Sequence, residues 1–189
     1  MIEEHVIAKG ELRLDFGCGM KTKEGFEGVD SNPRSHAVHI LDLLKFPLPW
    51  RDSSVDEIRC EHFIEHIPAR EVVDGDLTSF GQLSRQDMIG QDMFLAFFDE
   101  CHRILRAGGK IELIWPALQS SRAFKDPTHR RFIPMETMDY LGAGWRSSKN
   151  LSHYHVSCDF RIASPLPTQQ RFWNVEEDFR VVLLAQKEG

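Results

Sequence analysis

The segment LRLDFGCGMKTKEGFEGVD, residues 12–30 of the chain, limits the fold more than any other. Leu12–Phe16 reads as a buried strand, Gly17-Cys18-Gly19 as a turn, and the residues closing at Asp30 as a second strand. A parallel neighbour must start back at the end where the first strand began, so the link has to recross the sheet. Five strand residues cover about 17 Å, and about ten extended residues reach at most roughly 33 Å. That is enough to return but not while winding a helix, since ordinary crossovers take about ten to twelve residues or more. Gly25 and Gly28 weaken a helix further. The first crossover is therefore predicted to be a loop or a single turn.

Strand-like and helix-like runs alternate along the rest of the chain. Further strands are expected at Glu27–Asp30, Ala37–Leu41, Val55–Cys60 and Lys110–Trp115. The best helix is Gln91–Leu105, where Phe94, Leu95, Phe97, Phe98, Cys101, Ile104 and Leu105 recur at helical spacing. Arg103 and Arg106 suit its C-terminal end, and Gly108-Gly109 stop it before the next strand. Cys158–Ala163 and Phe179–Gln186 read as two strands with no long helix between them. The expected fold is α/β, a mostly parallel sheet with an antiparallel C-terminal edge strand and the first crossover helix missing or very short. With 189 residues this is one domain, 1–189. It carries an irregular insertion at about 69–90 and a substrate-side segment at about 117–178, where Met135–Leu141 is a short helix candidate after Pro134.

The net charge of −6 argues against a broad nucleic-acid surface. No apolar run approaches a membrane span, and the acidic N-terminus is followed by no signal-like apolar stretch. Cys18, Cys60, Cys101 and Cys158 are far apart and form no CxxC pair, so the expected setting is cytoplasmic, with reduced thiols.

Without a first helix, the chain lacks the helix N-terminus that holds a pyrophosphate in dinucleotide-binding folds. S-adenosylmethionine has an adenosine but no phosphate, and loses much less. Gly17 and Gly19 let the backbone approach such a ligand closely, and Asp30, ending the second strand, is placed to accept from both ribose hydroxyls. Leu14-Asp15-Phe16-Gly17-Cys18-Gly19 resembles the first motif of class I S-adenosylmethionine-dependent methyltransferases, and Gly28-Val29-Asp30 their acidic second-strand end. Asp42-Leu43, Phe46-Pro47-Leu48-Pro49 and Asp52–Ile58 are similar to their adenine-contacting loop and fourth strand. Glu61–Ile67 resembles the segment after that strand, and Leu105–Lys110 the turn before the fifth. The resemblance is ordered, covers Leu12 to Pro116, and is to a short, type 11-like form of this superfamily. It implies a Rossmann-like sheet, S-adenosylmethionine as cofactor, and a cofactor set of Asp15, Gly17, Cys18, Gly19, Asp30, Ser31, Asp42, Leu43, Cys60 and Glu61. Within it, Asp15 either fixes the loop or holds the cofactor amine, Asp42 and Leu43 lie near adenine or form an Asx turn, and Cys60 and Glu61 touch the cofactor tail unless Cys60 is simply core.

Asp126-Pro127-Thr128-His129-Arg130-Arg131 follows the fifth strand, and ligands of open α/β sheets sit outside the carboxyl ends of strands. His129 is the candidate general base or loop orienter, with Asp126 beside it as the second catalytic candidate. Arg130, Arg131 and His66 form the candidate substrate set. His62-x-x-Glu65-His66 also matches a zinc metallopeptidase pattern, but a strand leads straight into it and Pro68 leaves little helix, so no metal is expected. His153-x-His155 reads as a polar strand edge, and Tyr154, Phe172, Trp173 and Trp145 mostly as core. The expected activity is methyl transfer to a small-molecule or sugar-type acceptor, without nucleic acid or membrane and with a homo-oligomer left open. The alternatives are a non-catalytic cofactor-binding module and, behind it, a zinc hydrolase acting through His62, Glu65 and His66.

Overall fold

The computed structural model describes residues 11–69, 92–152, 156–163 and 177–187. Seven strands form one sheet in the order β3-β2-β1-β4-β5-β7-β6. They are β1 (Arg13–Phe16), β2 (Glu27–Asp30), β3 (His39–Ile40), β4 (Val55–Glu61), β5 (Leu105–Pro116), β6 (Phe160–Ile162) and β7 (Asp178–Ala185). The pairs from β3 to β5 are parallel, and β7 runs antiparallel to both β5 and β6. The antiparallel C-terminal addition at one edge is as expected; of its two strands, β6 and not the last one forms the edge itself. β7 lies inside, because its eight residues match the long β5, and Phe179, Val181, Leu183 and Ala185 are buried on its inner face. The three-residue β6 takes the edge, where a short strand offers little to stray pairing.

Helix α1 (Met93–Ile104) covers one face. It starts where the Asp92 carboxylate accepts from the amides of Phe94 and Leu95, satisfying donors that have no partner in the first turn. Its apolar stripe joins a core that includes Leu14, Phe16, Ile58, Cys60, Ile111, Leu113, Val181 and Leu183. The turn expected at Arg106–Lys110 interrupts the β4–β5 ladder: Leu105 pairs with Val55, and pairing resumes at Glu57 and Lys110. Gly108 takes a φ of +69° there, which favours glycine. Helices α2 (Arg122–Lys125) and α3 (Ala143–Ser148) are short, and Met135–Leu141 is a 3₁₀ rather than an α-helix. No helix among the described residues is long and apolar enough to cross a membrane. The expected insertion, apart from Ala69, lies outside the described residues, as do His153, Tyr154, His155, Phe172 and Trp173.

No helix forms between β1 and β2; the link is a series of turns, as the reach of the chain requires. The opposite sheet face shows why none is needed. There the side chains of β1 and β4, and those of Lys110 and Glu112 on β5, are charged and alternate in sign across strands. Arg13, Glu57 and Lys110 form one row, paired at 3.7 and 3.1 Å. Asp15, Arg59 and Glu112 form the next, paired at 3.2 and 3.8 Å. Lys23 of the first crossover closes the second row, its Nζ 3.5 Å from Glu112 and its amide on Asp15 Oδ2 at 2.8 Å. Over these charged rows the face has no apolar stripe to bury under a helix. Parallel strands normally read apolar on both faces because both are covered; these alternate.

Glu112 is the most buried member of the rows apart from Asp15. Burial alone would raise its carboxyl, but the hydrogen bond from Arg180 and the charges of Arg180 and Lys23 outweigh it and hold the carboxyl below the usual glutamate value. A depressed carboxyl gives stability that is full above the unfolded value of about 4.3 and lost as pH falls through the lower folded value. Glu112→Gln is expected to flatten the acid limb of a plot of unfolding free energy against pH. An unchanged acid limb would show that other carboxylates control it.

Candidate functional site

The site lies beyond the carboxyl ends of β1, β2 and β4. Gly17 leaves β1 with φ +68°, and a Cβ there would meet the Phe63 ring at 3.1 Å. Its amide donates to the Val29 carbonyl at 2.8 Å, folding the turn back over β2. At the end of β2, Asp30 Oδ2 accepts from the Gly19 amide and Oδ1 from the Asn32 amide, both at 2.8 Å. One carboxylate thus ties the two loops together. It has about four acceptor positions, so it keeps capacity toward the cleft. Asp42 Oδ1 accepts from the Leu44 amide at 3.0 Å, forming the Asx turn foreseen for it.

A cleft of about 330 Å³ opens between these loops and is lined by Gly17, Asp30, Ser31, Asp42 and Leu43, five of the expected cofactor set. Leu44, His62, Phe63, His66 and Ile67 complete its wall. The other five expected residues do not line it. Asp15 is buried in the charged rows. Cys18 is buried and partly desolvated, which raises its thiol. Gly19 serves through its amide on Asp30. Cys60 is core, its thiol pushed well up by burial, and Glu61 pairs with Arg59.

Sequence reading missed His62 and Phe63 as cleft walls, although both stand in the segment after β4 that it singled out. His62 takes φ +52°, uncommon for a residue with a side chain. Its amide donates to Ile114 O at 2.8 Å, and its ring lies between Glu65 Oε1 at 3.3 Å and Asp178 Oδ2 at 3.4 Å. The hydrogen bond to Glu65 raises its pKa, and the charge of Asp178 adds to the effect. After it, Ile64–His66 makes a single 3₁₀ turn. The metallopeptidase arrangement of His62 and His66 on one helix face therefore does not form: His62 turns to Asp178 and Arg122, His66 to Thr128 and His129.

The 126–131 loop docks on that turn. The amides of Arg130 and Arg131 both donate to the Glu65 carbonyl, at 2.8 and 3.0 Å. The Arg131 guanidinium donates to the carbonyls of Ile67 and Pro68 and to Asp92. It is thus a clamp between loop, turn and α1, while the Arg130 side chain is exposed. Docking brings His129 to His66, their rings 4.8 Å apart. Asp126 holds the loop, its Oδ1 accepting from the Thr128 amide and hydroxyl. Those bonds keep its carboxyl below the usual range.

No protein-family model matches the chain, and no curated protein matches it. Solved structures do. A SAM-dependent methyltransferase of Archaeoglobus fulgidus superposes with a TM-score of 0.52 at 17% identity, over 93% of this chain and 87% of that one. One of Methanosarcina mazei gives 0.52 at 15% identity, over 94% and 93%. An S-adenosylmethionine-dependent methyltransferase of Clostridium acetobutylicum gives 0.50 at 10% identity, over 94% and 85%. At these identities the likeness is one of fold.

Proposed function

We propose that this chain, which has the fold of S-adenosylmethionine-dependent methyltransferases, binds S-adenosylmethionine in the cleft and transfers its methyl group to a small-molecule or sugar-type acceptor. The observation that carries the reading is Asp30, an ionisable acceptor fixed by two amides at the cleft rim, beside Gly17, where a side chain would close the approach. The residues fit the cofactor. Asp30 suits two ribose hydroxyls, Asp42 and Leu43 a purine edge and face, and the Gly17 turn the amino-acid tail. When bound, the sulfonium supplies an already activated methyl group, so the protein has mainly to align and desolvate. Phe63 and Ile67 make one wall of the cleft apolar. His66 lines the cleft on the acceptor side, and a base there is needed only when the acceptor must lose a proton.

Mass spectrometry of the purified chain is expected to detect retained S-adenosylmethionine or its demethylated product, and calorimetry one such ligand per chain. A methyl-donor turnover assay over an acceptor library is then expected to find methylated products of small-molecule or sugar-type acceptors. Binding without turnover on any acceptor would instead support the non-catalytic module, and absence of binding would remove the methyl-transfer reading.

A further inference from the structure

Beside the cleft, Glu65, His66 and His129 each present one ligand atom within 4.8 Å of the others. The loop docked on the Glu65 carbonyl brings together residues 63 positions apart in sequence. Glu65 is 2% exposed, and its Oε2 is buried with no hydrogen-bond partner among the described residues. A buried carboxylate oxygen left without a partner costs free energy, and a cation seated beside it would remove that cost. Its other oxygen is held by His62 Nδ1 at 3.3 Å, fixing the orientation of the group.

The two imidazoles are set in the same sense. His129 Nδ1 lies 2.9 Å from the Ala123 carbonyl, which can only accept, so Nδ1 carries the proton and Nε2 the lone pair. His66 Nδ1 faces the Thr128 carbonyl at 3.3 Å and the Thr128 hydroxyl at 3.1 Å. That hydroxyl donates to Asp126 at 2.6 Å, leaving it to accept from His66. His66 is thereby also protonated on Nδ1 and free to ligate through Nε2. Metal-ligating histidines are characteristically held in this way, the second nitrogen donating to a carbonyl. Asp126 Oδ2 adds negative charge 3.8 Å from His129 Nε2.

We propose that Glu65, His66 and His129 bind one divalent first-row transition-metal ion at the rim of the cleft. Two imidazoles and a carboxylate suit zinc, manganese or iron(II) rather than calcium. Three protein ligands leave coordination positions open, and His66 lines the cleft, so the open side faces the acceptor. An acceptor with an oxygen donor, such as a sugar hydroxyl, would ligate there and lose its proton more readily. The use of the ion rests on the methyl-transfer reading; its binding does not. This set replaces the expectation of no metal, and it differs from the His62-centred zinc pattern by drawing its third ligand from beyond β5.

The test titrates the chelator-treated full chain with Zn²⁺, Mn²⁺ and Co²⁺ alone, without cofactor, following heat and the visible absorption of Co²⁺. One ion per chain is expected. His129→Ala and His66→Gln, confirmed folded by circular dichroism, are each expected to weaken binding more than the about 10–100-fold typical of changes around a metal's ligands. His39→Ala, which removes a half-buried histidine on β3 paired with Glu27, is expected to leave metal binding unchanged. Absence of stoichiometric binding by the unaltered chain overturns the proposal, as does undiminished binding by His66→Gln. If His129→Ala fails to fold, His66→Gln and the unaltered chain decide. Metal binding with no cofactor binding would uphold the site and sink methyl transfer; the reverse would do the opposite.

Discussion

Asp30→Ala is expected to lower affinity for S-adenosylmethionine by roughly 10- to 100-fold. Hydrogen bonds to a charged group contribute about 1.5–3 kcal/mol, and each 1.4 kcal/mol is about tenfold in affinity. Two effects add in this variant. The ribose loses its charged acceptor, and the amides of Gly19 and Asn32 lose the carboxylate that holds both loops at 2.8 Å. Asp30→Asn separates them, because one amide oxygen can still accept from Gly19 or Asn32 but its NH₂ cannot accept from a hydroxyl. Calorimetry on the two variants is the measurement. Affinity unchanged in both would remove Asp30 from the cofactor site and with it the main support for the methyl-transfer reading.

Phe97→Ala is expected to be the most damaging single change to stability. Phe97 is fully buried on α1, its ring 6.2 Å from Phe16, 5.5 Å from Phe63 and 5.3 Å from Phe98. Truncating a buried phenylalanine costs about 3–5 kcal/mol through lost contacts and the cavity left behind. Whole domains hold only about 5–15 kcal/mol, so a large fraction of the reserve goes. Phe63 rests on this ring and covers Gly17, so the cavity opens directly beneath the cleft, and cofactor affinity is expected to fall along with stability. Urea unfolding of wild type and variant measures the first effect. A loss below about 1 kcal/mol would mean that the aromatic cluster collapses to fill the space.

Local pattern made most of the architecture legible. β2 has the bounds its residues suggested, α1 starts and stops within two residues of expectation, and the missing first helix follows from chain reach alone. The charged rows were written in the same letters, as Arg13/Asp15, Glu57/Arg59/Glu61 and Lys110/Glu112. Seeing them as rows needs the register between strands, which no single strand contains. The same alternation explains which cofactor candidates reach the cleft. Asp15 and Cys60 lie within strands, so their side chains point to the sheet faces. Gly17, Ser31, Asp42 and Leu43 lie beyond strand ends, where the crevice is. The encounter of His66 with His129 depends on one carbonyl, that of Glu65, receiving two amides from a distant loop. Nothing in the spacing of the residues announces it.

The sheet's two faces also differ in their response to dissolved ions. On the charged face, Lys110 is 47% and Arg180 66% exposed, so the outer pairs sit within reach of the ionic atmosphere. At physiological ionic strength charges are screened over about 8 Å, and added chloride weakens these pairs. The face under α1 is apolar, and sulfate or phosphate, excluded from the protein surface, strengthens its burial. One sheet therefore takes opposite instructions from its two sides: a screening salt loosens one, while a salting-out salt tightens the other.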